Sequence, residues 1–453
     1  MSQTVVGFVL QRELQPNELP LYESEETPYP FPDTVIVPAG MGSENELPLD
    51  SLRSHTLQQI IDNPYIHTLR GSESEPYFWG LLEKGRVLAT NIAHTLKIDS
   101  RIANKVGISH GDRVTLNIDD QSKLVTIVDV NGNPDFASVR KWPRIEGRGA
   151  IQAGYPREIL PLGQFSHSLR VIELLAPVGF GQNVYLVAPG WAGKTYILVD
   201  VCDACLKLTQ VRNNLFVITV FMGERSKDIE LYADTFSKGD YRKGRAELYV
   251  SPETDRPANR YAVFKYAVSR AKRLAVYHDV VLIIDSLTRA VSAHSYGGYA
   301  KPDSGMIRGG IHIESLDAVA QNIGGAGYFR ETGTSLTIFN SVLDSQEPTA
   351  SALVQFARET KDNIPDSIWT LRADATQAFP KISMNKRETM TRRLESFIPP
   401  ALQEEIELVL NHVYGYDEQG HPLARLQDTH KELVKYARDN PIPAYTQRGI
   451  PNR

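Results

Sequence analysis

The stretch YLVAPGWAGKTY, residues 185–196, decides the fold class of this chain. An apolar run leads into a glycine-containing segment that closes on Gly-Lys-Thr, the pattern of a phosphate-binding loop between a buried strand and a helix. In such a loop Lys194 reaches the β and γ phosphates, and the Thr195 hydroxyl binds Mg²⁺. A strict P-loop begins with glycine, where this chain has Ala188. The nucleotide-binding residues predicted from the loop are Gly190, Trp191, Ala192, Gly193, Lys194, Thr195 and Tyr196.

Outward from this loop, short apolar runs alternate with amphipathic stretches. Each run is too hydrophobic for a half-exposed strand and is typical of a parallel sheet covered on both faces. The predicted class is therefore α/β. The runs are NVYLVAP, LFVITVFMGE, AELYV, VVLIIDS, SLTIFNSVLD and SIWTLRAD.

Two acids follow strands of this predicted sheet. Asp285 ends the run VVLIID, and beside a P-loop it is predicted to orient the water ligands of the magnesium ion. Glu224 ends another run, where a carboxylate can orient the water that attacks a phosphate. Taken alone, an acid at a strand end is commonly a turn or helix cap, and a glutamate at a helix start faces the helix dipole.

Composition limits the classes of protein to consider. The chain has 453 residues, 42% of them hydrophobic and 23% charged, which is typical of a globular protein of two or three domains. No apolar run reaches eighteen residues and the N-terminus lacks a secretion signal, so we expect a cytoplasmic protein without membrane contact. Cys202 and Cys205 are predicted to be buried thiols. The net charge of −5 restricts any nucleic-acid contact to a local basic surface.

The residues before the loop divide into two regions. The segment from Glu13 to Asp50 carries nine acidic residues, seven prolines and no lysine or arginine, which favours an extended, partly disordered arm. From Gly80 to Arg144 apolar and polar residues alternate, which predicts a small all-β module. We therefore expect an arm with a short helical segment (1–70), a small β domain (71–150), an α/β domain (151–415) and a tail (416–453).

An ordered series of motifs between about Val171 and Phe397 resembles the bacterial transcription termination factor Rho family. The motifs are APGWAGKT, Glu224-Arg225, DRPANR at 255–260, AKRL at 271–274, DSLTR at 285–289, SGMIRGG at 304–310, GTSLTI at 333–338 and Phe379-Pro380. The segment IDSRIANKVGISHGDRV is similar to part of the family's OB-fold barrel. The resemblance implies a RecA-like ATPase core behind a small OB-fold-like barrel, binding ATP and Mg²⁺ as a homo-oligomeric ring, expected to be a hexamer. It also implies single-stranded RNA and the transcription machinery as partners.

The same resemblance implies roles for individual residues. Lys194, Thr195 and Asp285 hold phosphate and magnesium, and Glu224 positions the attacking water. Arg225 and Arg289 belong to a network with the neighbouring subunit, and Phe379 stacks on adenine. Rotary ATP synthase subunits share the P-loop fold and a Gly-Glu-Arg motif, but the APxxAGKT loop and DSLTR favour the Rho family.

This chain departs from the family pattern in its contacts with phosphate and RNA. Trp191 stands where the family has a lysine, and KGRVLA replaces an aromatic GFGF surface, for which Tyr77, Phe78 and Trp79 are possible substitutes. The first channel loop has Met306 in place of a lysine, and the second has no lysine or arginine between Arg330 and Arg358. Lys301 and Arg308 remain as candidate RNA contacts.

The arginine finger of the family falls on Met390 by gapless counting from Phe379. A two-residue insertion would assign the finger to Arg392, our first choice, or to Arg393, and Arg387 lies nearby. A solvated basic face is the other interpretation of this stretch. Two functions follow: a Rho-like, RNA-dependent ring ATPase of the helicase type that acts in transcription termination, or an ATP-binding regulatory or scaffolding oligomer without an RNA-driven motor.

Overall fold

A computed structural model describes most of the core and parts of the N-terminal region. The described residues are 8–10, 35–38, 77–83, 86–88, 95–97, 111–119, 124–130, 150–224, 245–253, 255–301, 306–307, 311–344, 365–373 and 379–413, with a few isolated residues between and after them. Most of the predicted acidic arm, the short helical segment near residue 55 and nearly all of the predicted tail lie outside this set. None of the helices in the described ranges is long and apolar enough to cross a membrane.

The chain divides into two compact units, each made of two segments. One unit comprises Met1–Ile151 and Thr209–His278, and the other comprises Gln152–Leu208 and Asp279–Arg453. This division distributes the predicted ATPase domain over both units. The predicted boundaries at 70, 150 and 415 therefore stay predictions.

The strands are β1 (Phe8–Leu10), β2 (Val35–Pro38), β3 (Tyr77–Glu83), β4 (Arg86–Leu88), β5 (Thr95–Lys97), β6 (Arg113–Asp119), β7 (Leu124–Val130), β8 (Ala153–Gly154), β9 (Asn183–Ala188), β10 (Leu215–Glu224), β11 (Ala246–Pro252), β12 (Asp279–Asp285), β13 (Met306–Ile307), β14 (Ile311–His312), β15 (Gly327–Phe329), β16 (Thr334–Leu343), β17 (Ser367–Thr370) and β18 (Met390–Thr391). The α-helices are α1 (His167–Leu175), α2 (Lys194–Val211), α3 (Pro257–Leu274), α4 (Leu287–Tyr296), α5 (Ile313–Ile323) and α6 (Pro400–Val413), with short 3₁₀ helices at Leu162–Gln164 and Leu394–Ser396.

In the unit that contains the phosphate loop, four parallel strands lie side by side in the order β17-β9-β16-β12. Strand β18 pairs antiparallel with β17, and the short antiparallel strands β15 and β8 extend from β16. Every residue of β9 and β12 is buried, because helices cover both faces of such a sheet. The six apolar runs of the sequence all form strands, and the predicted α/β class is confirmed.

The other unit contains two groups of strands. Strands β10, β11 and β2 run parallel, so a piece of the N-terminal arm, Val35–Pro38, extends the edge of β11. Strands β3 to β7 form an antiparallel sheet in the order β5-β4-β3-β6-β7, with β1 beside β3. The alternating sequence between Gly80 and Arg144 therefore does form antiparallel strands, while closure into an OB-fold barrel stays a prediction.

The Gly111-Asp112 turn rests on helix α3 in this same unit. Gly111 has φ +85°, and a Cβ atom there would lie 2.2 Å from the carbonyl oxygen of Ser269. The buried Asp112 carboxylate accepts a hydrogen bond of 2.6 Å from Nε of Arg273. Only glycine suits this approach of two backbones, which accounts for Gly111 in the segment ISHGDRV.

Candidate nucleotide site

The loop between β9 and α2 has the backbone of a phosphate cradle. Strand β9 ends at Ala188 and helix α2 begins at Lys194, so the free N–H groups of the first helical turn lie at the loop. Gly193 has φ +91° and Trp191 has φ +66°, both in the left-handed region. The Ala192 N–H donates to the Pro189 carbonyl at 3.4 Å, which makes the segment a turn. This geometry suits an anionic phosphate chain.

Phe379 lies directly against this loop. A Cβ atom on Gly193 would be 2.8 Å from Cε2 of the Phe379 ring, so glycine is required both for its φ and for this contact. The ring keeps 42% of its surface exposed. A flat, partly exposed aromatic ring at the mouth of a phosphate loop can stack on a base, which supports the predicted role of Phe379.

Lys194 and Asp285 meet beneath the loop. Nζ of Lys194 is 3.4 Å from Oδ1 of Asp285, and the carboxyl group is fully buried. The same Oδ1 accepts a hydrogen bond of 2.6 Å from Oγ of Ser341. Oδ2 is buried and accepts no hydrogen bond among the described residues. An oxygen with unused acceptor capacity beside a phosphate loop fits a water ligand of Mg²⁺, so these residues suit the ion.

The sheet register brings these groups to one edge. Ala188 pairs with Leu343 across β9 and β16, and Ile284 pairs with Asn340 across β12 and β16. The phosphate loop, Asp285 and the end of β16 therefore lie at the carboxyl ends of three neighbouring parallel strands, where open α/β sheets bind their ligands. The Leu343 N–H donates to Oγ1 of Thr288, which ties the first turn of α4 to this edge.

Ser341 and Thr288 are site residues that the sequence analysis missed. Both lie in segments that were recognised, SLTIFNSVLD and DSLTR, but nothing in a single strand shows which neighbour a polar side chain will meet. For Ser341 the available signal was a hydroxyl in a buried strand, since a buried hydroxyl needs a hydrogen-bond partner.

The other predicted site residues differ in how far the structure describes them. Glu224 is the last residue of β10, and its side chain lies outside the described set, as do Arg225 and Arg308. Arg289 is half-buried in the first turn of α4, where its N–H donates to Oγ of Ser286. Lys301 is exposed, and its N–H donates to Oε2 of Glu314 at 2.9 Å. The roles predicted for all five residues remain predictions.

The candidate arginine fingers lie toward different ends of the sheet. The Arg392 N–H donates to the carbonyl of Asp366, whose own N–H donates to the carbonyl of Asn183, the first residue of β9. Arg392 is thus anchored at the amino end of β9, whereas the phosphate loop follows its carboxyl end. Arg387 precedes Glu388, whose carbonyl accepts from Thr370 at the carboxyl end of β17. Met390, the position given by gapless counting, forms β18.

Strand β9 separates Arg392 from its own phosphate loop by six residues, or about 16 Å at the usual rise of a strand. An arginine side chain does not span that length. Burial raises the pKa of Asp366, and the nearby Arg392 guanidinium opposes this rise. Arg392 is exposed to solvent. If Arg392 is a finger, it therefore serves a second copy of the chain.

Cys202 and Cys205 are buried thiols in α2, as predicted. Within the described ranges no three His, Cys, Asp or Glu side chains gather into a metal-binding group.

The nucleotide-binding domain of the ATP synthase alpha/beta family matches residues 168–375 of this chain. Transcription termination factor Rho of Streptosporangium roseum is 32% identical over 57% of this chain and 60% of that protein. Rho of Streptobacillus moniliformis is 31% identical over 54% and 58%, and Rho of Aquifex aeolicus is 29% identical over 53% and 54%. The chain thus spans a little over half the length of these curated relatives.

Among solved structures, the ATP synthase subunit NeqB from Nanoarcheaum equitans aligns with 64% of this chain and 78% of that chain. The TM-score is 0.49 at 12% identity, which is too low to add to the description of the fold. The parallel sheet, the phosphate loop with Asp285 beneath it, and the similarity over more than half of the chain agree with one another. The chain is similar to Rho proteins over more than half of its length and has a RecA-like α/β P-loop core.

Proposed function

We propose that this protein is an ATP hydrolase that works as a homo-oligomeric ring, expected to have six copies. The observation that carries the proposal is the Lys194–Asp285 pair beneath the phosphate loop. Ser341 donates to one oxygen of Asp285, and the other oxygen accepts no hydrogen bond from the part of the chain that the structure describes. Burial of a carboxylate oxygen that accepts no hydrogen bond is destabilising, so such an oxygen beside a phosphate loop favours a bound partner. A hydrated cation beside a triphosphate gives that oxygen its partner.

Each residue then has a defined part in hydrolysis. The amides of the loop and of the first turn of α2 hold the phosphate oxygens, and Lys194 turns from Asp285 toward the β and γ phosphates. Mg²⁺, when bound, neutralises charge that builds on the triphosphate. Thr195 and Asp285 are the residues that would hold it, Thr195 directly and Asp285 through water. Phe379 supports the adenine base.

The reaction is the attack of a water molecule on the γ-phosphorus, in line with the bond to the β–γ bridging oxygen, which breaks to release ADP. Glu224 orients that water and accepts its proton. If Arg392 is the finger, it completes the site of a neighbouring copy, since it cannot reach its own loop. Arg225 and Arg289 are proposed to join the same network between copies.

Single-stranded RNA is the proposed partner that drives the ring, through Lys301 and Arg308, in a termination role on the transcription machinery in the cytoplasm. This part rests on the similarity to Rho proteins. A second candidate is an ATP-binding regulatory or scaffolding oligomer without an RNA motor. Two features of the channel loops favour it: Met306 stands in the first loop, and the second has no lysine or arginine between Arg330 and Arg358. Cations on these loops would supply most of the affinity for RNA phosphates.

The deciding experiment measures ATP turnover by the full chain with and without single-stranded RNA, using Lys194→Ala as the control. Turnover that RNA stimulates and Lys194→Ala abolishes supports the RNA-driven ring. ATP binding that depends on Lys194, with turnover that RNA does not change, supports the second candidate. Equal ATP binding by the wild type and Lys194→Ala contradicts both. Oligonucleotides of RNA and DNA in a band-shift assay define the preferred partner.

A further inference from the structure

Phe379 reaches the phosphate loop from a short hairpin that continues strand β17. The Arg372 N–H donates to the carbonyl of Lys381 at 2.7 Å. The Ser383 N–H donates to the carbonyl of Thr370, also at 2.7 Å. Phe379 precedes the second arm of this hairpin in the chain. Because the ring lies beyond the last of these bonds, its position depends on how firmly the two arms are held together.

The two faces of the hairpin differ in their surroundings. Successive residues of an extended strand point to opposite faces. Leu371 and Ile382 form a bridge across the arms, and both are buried. The opposite face therefore carries three polar side chains: Thr370, Arg372 and Ser383. Glu388, from the next turn of the chain, covers this polar face.

Glu388 binds both arms of the hairpin through one carboxylate oxygen. Its Oε2 accepts hydrogen bonds from the Arg372 guanidinium on the first arm and from Oγ of Ser383, at 2.6 Å, on the second. The backbone carbonyl of Glu388 also accepts from Oγ1 of Thr370 at 2.6 Å. A hydrogen bond with a charged partner is roughly twice as strong as a neutral one, so the shared oxygen is a strong link between the arms.

The turn that carries Glu388 is itself fixed by hydrogen bonds. The N–H groups of Glu388 and Thr389 both donate to the carbonyl of Asn385 at 2.9 Å. The Arg387 N–H donates to Oδ1 of Asn385 at 2.9 Å. Oγ1 of Thr389 accepts from the Thr370 N–H at 3.3 Å, which ties the turn to the first arm. The carboxylate is therefore preorganised for its partners, as groups that support a binding site need to be.

The exposure of the ion pair argues for an effect on geometry. The side chains of Arg372 and Glu388 are 49% and 26% exposed, and an ion pair at the surface adds little to stability. The Phe379 ring, in contrast, depends on exact placement, since a Cβ atom on Gly193 would lie 2.8 Å from its Cε2. Loss of the carboxylate would free the arms and let the ring leave the loop.

We propose that Glu388 is a positioning residue that holds the Phe379 ring against the phosphate loop, where the ring receives the base of the nucleotide. Glu388 acts through Arg372, Ser383 and the hairpin that they belong to, and not on the nucleotide itself. The inference rests on the proposed function and adds to its ATP site a residue that the sequence analysis did not single out.

The test measures the affinity of the full chain for Mg-ATP and for Mg-tripolyphosphate by titration calorimetry, in the wild type, Glu388→Ala and Glu388→Gln. We expect Glu388→Ala to bind ATP about 5-fold more weakly or worse, which is the lower limit of the loss when base stacking fails. Its affinity for tripolyphosphate, which has no base, should not change. Glu388→Gln keeps an oxygen acceptor for Arg372 and Ser383 and should retain most of the ATP affinity.

Two further variants isolate the hairpin. Arg372→Ala removes the exposed partner of Glu388, so it should also weaken ATP binding alone, and it serves as the test if Glu388→Ala does not fold. Glu395→Ala is the matched control. It removes another surface ion pair, in which Nη1 of Arg393 lies 3.4 Å from Oε1 of Glu395, beyond strand β18 in the chain. Its ATP affinity should equal that of the wild type.

A double variant shows whether Glu388 acts through the ring. Once Phe379→Ala has removed the ring, adding Glu388→Ala should have no further effect on ATP affinity, because residues that act through one contact are not additive. Three results overturn the inference: wild-type ATP affinity in Glu388→Ala, an equal loss for ATP and tripolyphosphate, and a further loss in the double variant.

Binding of ATP to Lys194→Ala, measured in parallel, separates this inference from the proposed function. Any of the three overturning results, with ATP binding that still depends on Lys194, removes the role of Glu388 and keeps the nucleotide site. ATP binding that depends on Glu388 in a chain without turnover keeps that role and removes the hydrolase. A wild type that does not bind ATP rejects both.

Discussion

Arg392 and Lys194 lie toward opposite ends of strand β9. The Arg392 N–H donates to Asp366, which is hydrogen-bonded to Asn183, the first residue of the strand. Lys194 begins helix α2, six residues after the strand ends at Ala188. An arginine that completes a phosphate site from this position must act on another molecule. Replacing Arg392 therefore tests whether copies of the chain assemble as well as whether this arginine contributes to ATP hydrolysis.

Complementation between two inactive variants tests this geometry. Lys194→Ala and Arg392→Ala should each lower ATP turnover, the second by about 10³-fold or more. Mixed rings place an intact loop beside an intact finger, so an equimolar mixture should recover part of the turnover. Arg393→Ala and Arg387→Ala are the matched controls. Full activity of Arg392→Ala, or complementation by Arg393→Ala in its place, would reject Arg392 as the finger.

Two serine–aspartate pairs join β16 to β12, one at each end of the strands. Ser341 donates to Asp285 at 2.6 Å near the phosphate loop, and Ser335 donates to Asp279 at 2.7 Å at the far end. Replacing either serine with alanine removes a buried hydrogen bond to a carboxyl group and should cost about 1–3 kcal/mol of unfolding free energy. Only Ser341→Ala should weaken magnesium binding, by about 10- to 100-fold, because it orients a metal-site acid.

The measurement is the Mg²⁺ concentration that gives half-maximal ATP binding, recorded for both variants beside urea unfolding curves. Equal losses of magnesium affinity in Ser341→Ala and Ser335→Ala would indicate a general loss of stability. That outcome would remove Ser341 from the site.

Phe379→Ala tests whether the ring supports the base. Stacking on an aromatic ring is worth about 1–3 kcal/mol per base, so the variant should bind ATP roughly 5- to 150-fold more weakly. Tripolyphosphate has no base, and its affinity should not change. Titration calorimetry with both ligands makes the comparison. An equal loss for the two ligands would mean that Phe379 maintains the loop through Gly193 and does not contact the base.

Glu173 should make stability depend on pH. Burial raises the pKa of this carboxyl from 4.5 to about 8, although the Gly163 N–H, which donates to Oε2 at 2.8 Å, opposes the rise. The folded chain therefore holds a proton that the unfolded chain releases between these two values. Unfolding free energy should fall as pH rises through this window, by up to about 1.4 kcal/mol per unit, and level off above the folded pKa.

Glu173→Gln removes this ionisation, so its stability relative to the wild type should rise between pH 5 and pH 8. Urea unfolding at several pH values measures the difference. Glu404→Gln, on the exposed face of α6, is the control and should follow the wild type. Parallel pH curves for Glu173→Gln and the wild type would show that Glu173 is ionised in the folded chain.

Sequence alone determined the α/β class, the six strands of the core, the phosphate loop and the acid beneath it. These features are local, because a buried strand, a glycine turn and a helix start each leave their mark within about a dozen residues. Ser341 beneath Asp285, Phe379 against Gly193, and Arg392 at the far end of β9 became visible only in the tertiary structure. They depend on strand order and register, which bring together residues that are 56 to more than 180 positions apart in the sequence. Contacts over such separations produce no repeating pattern in the sequence.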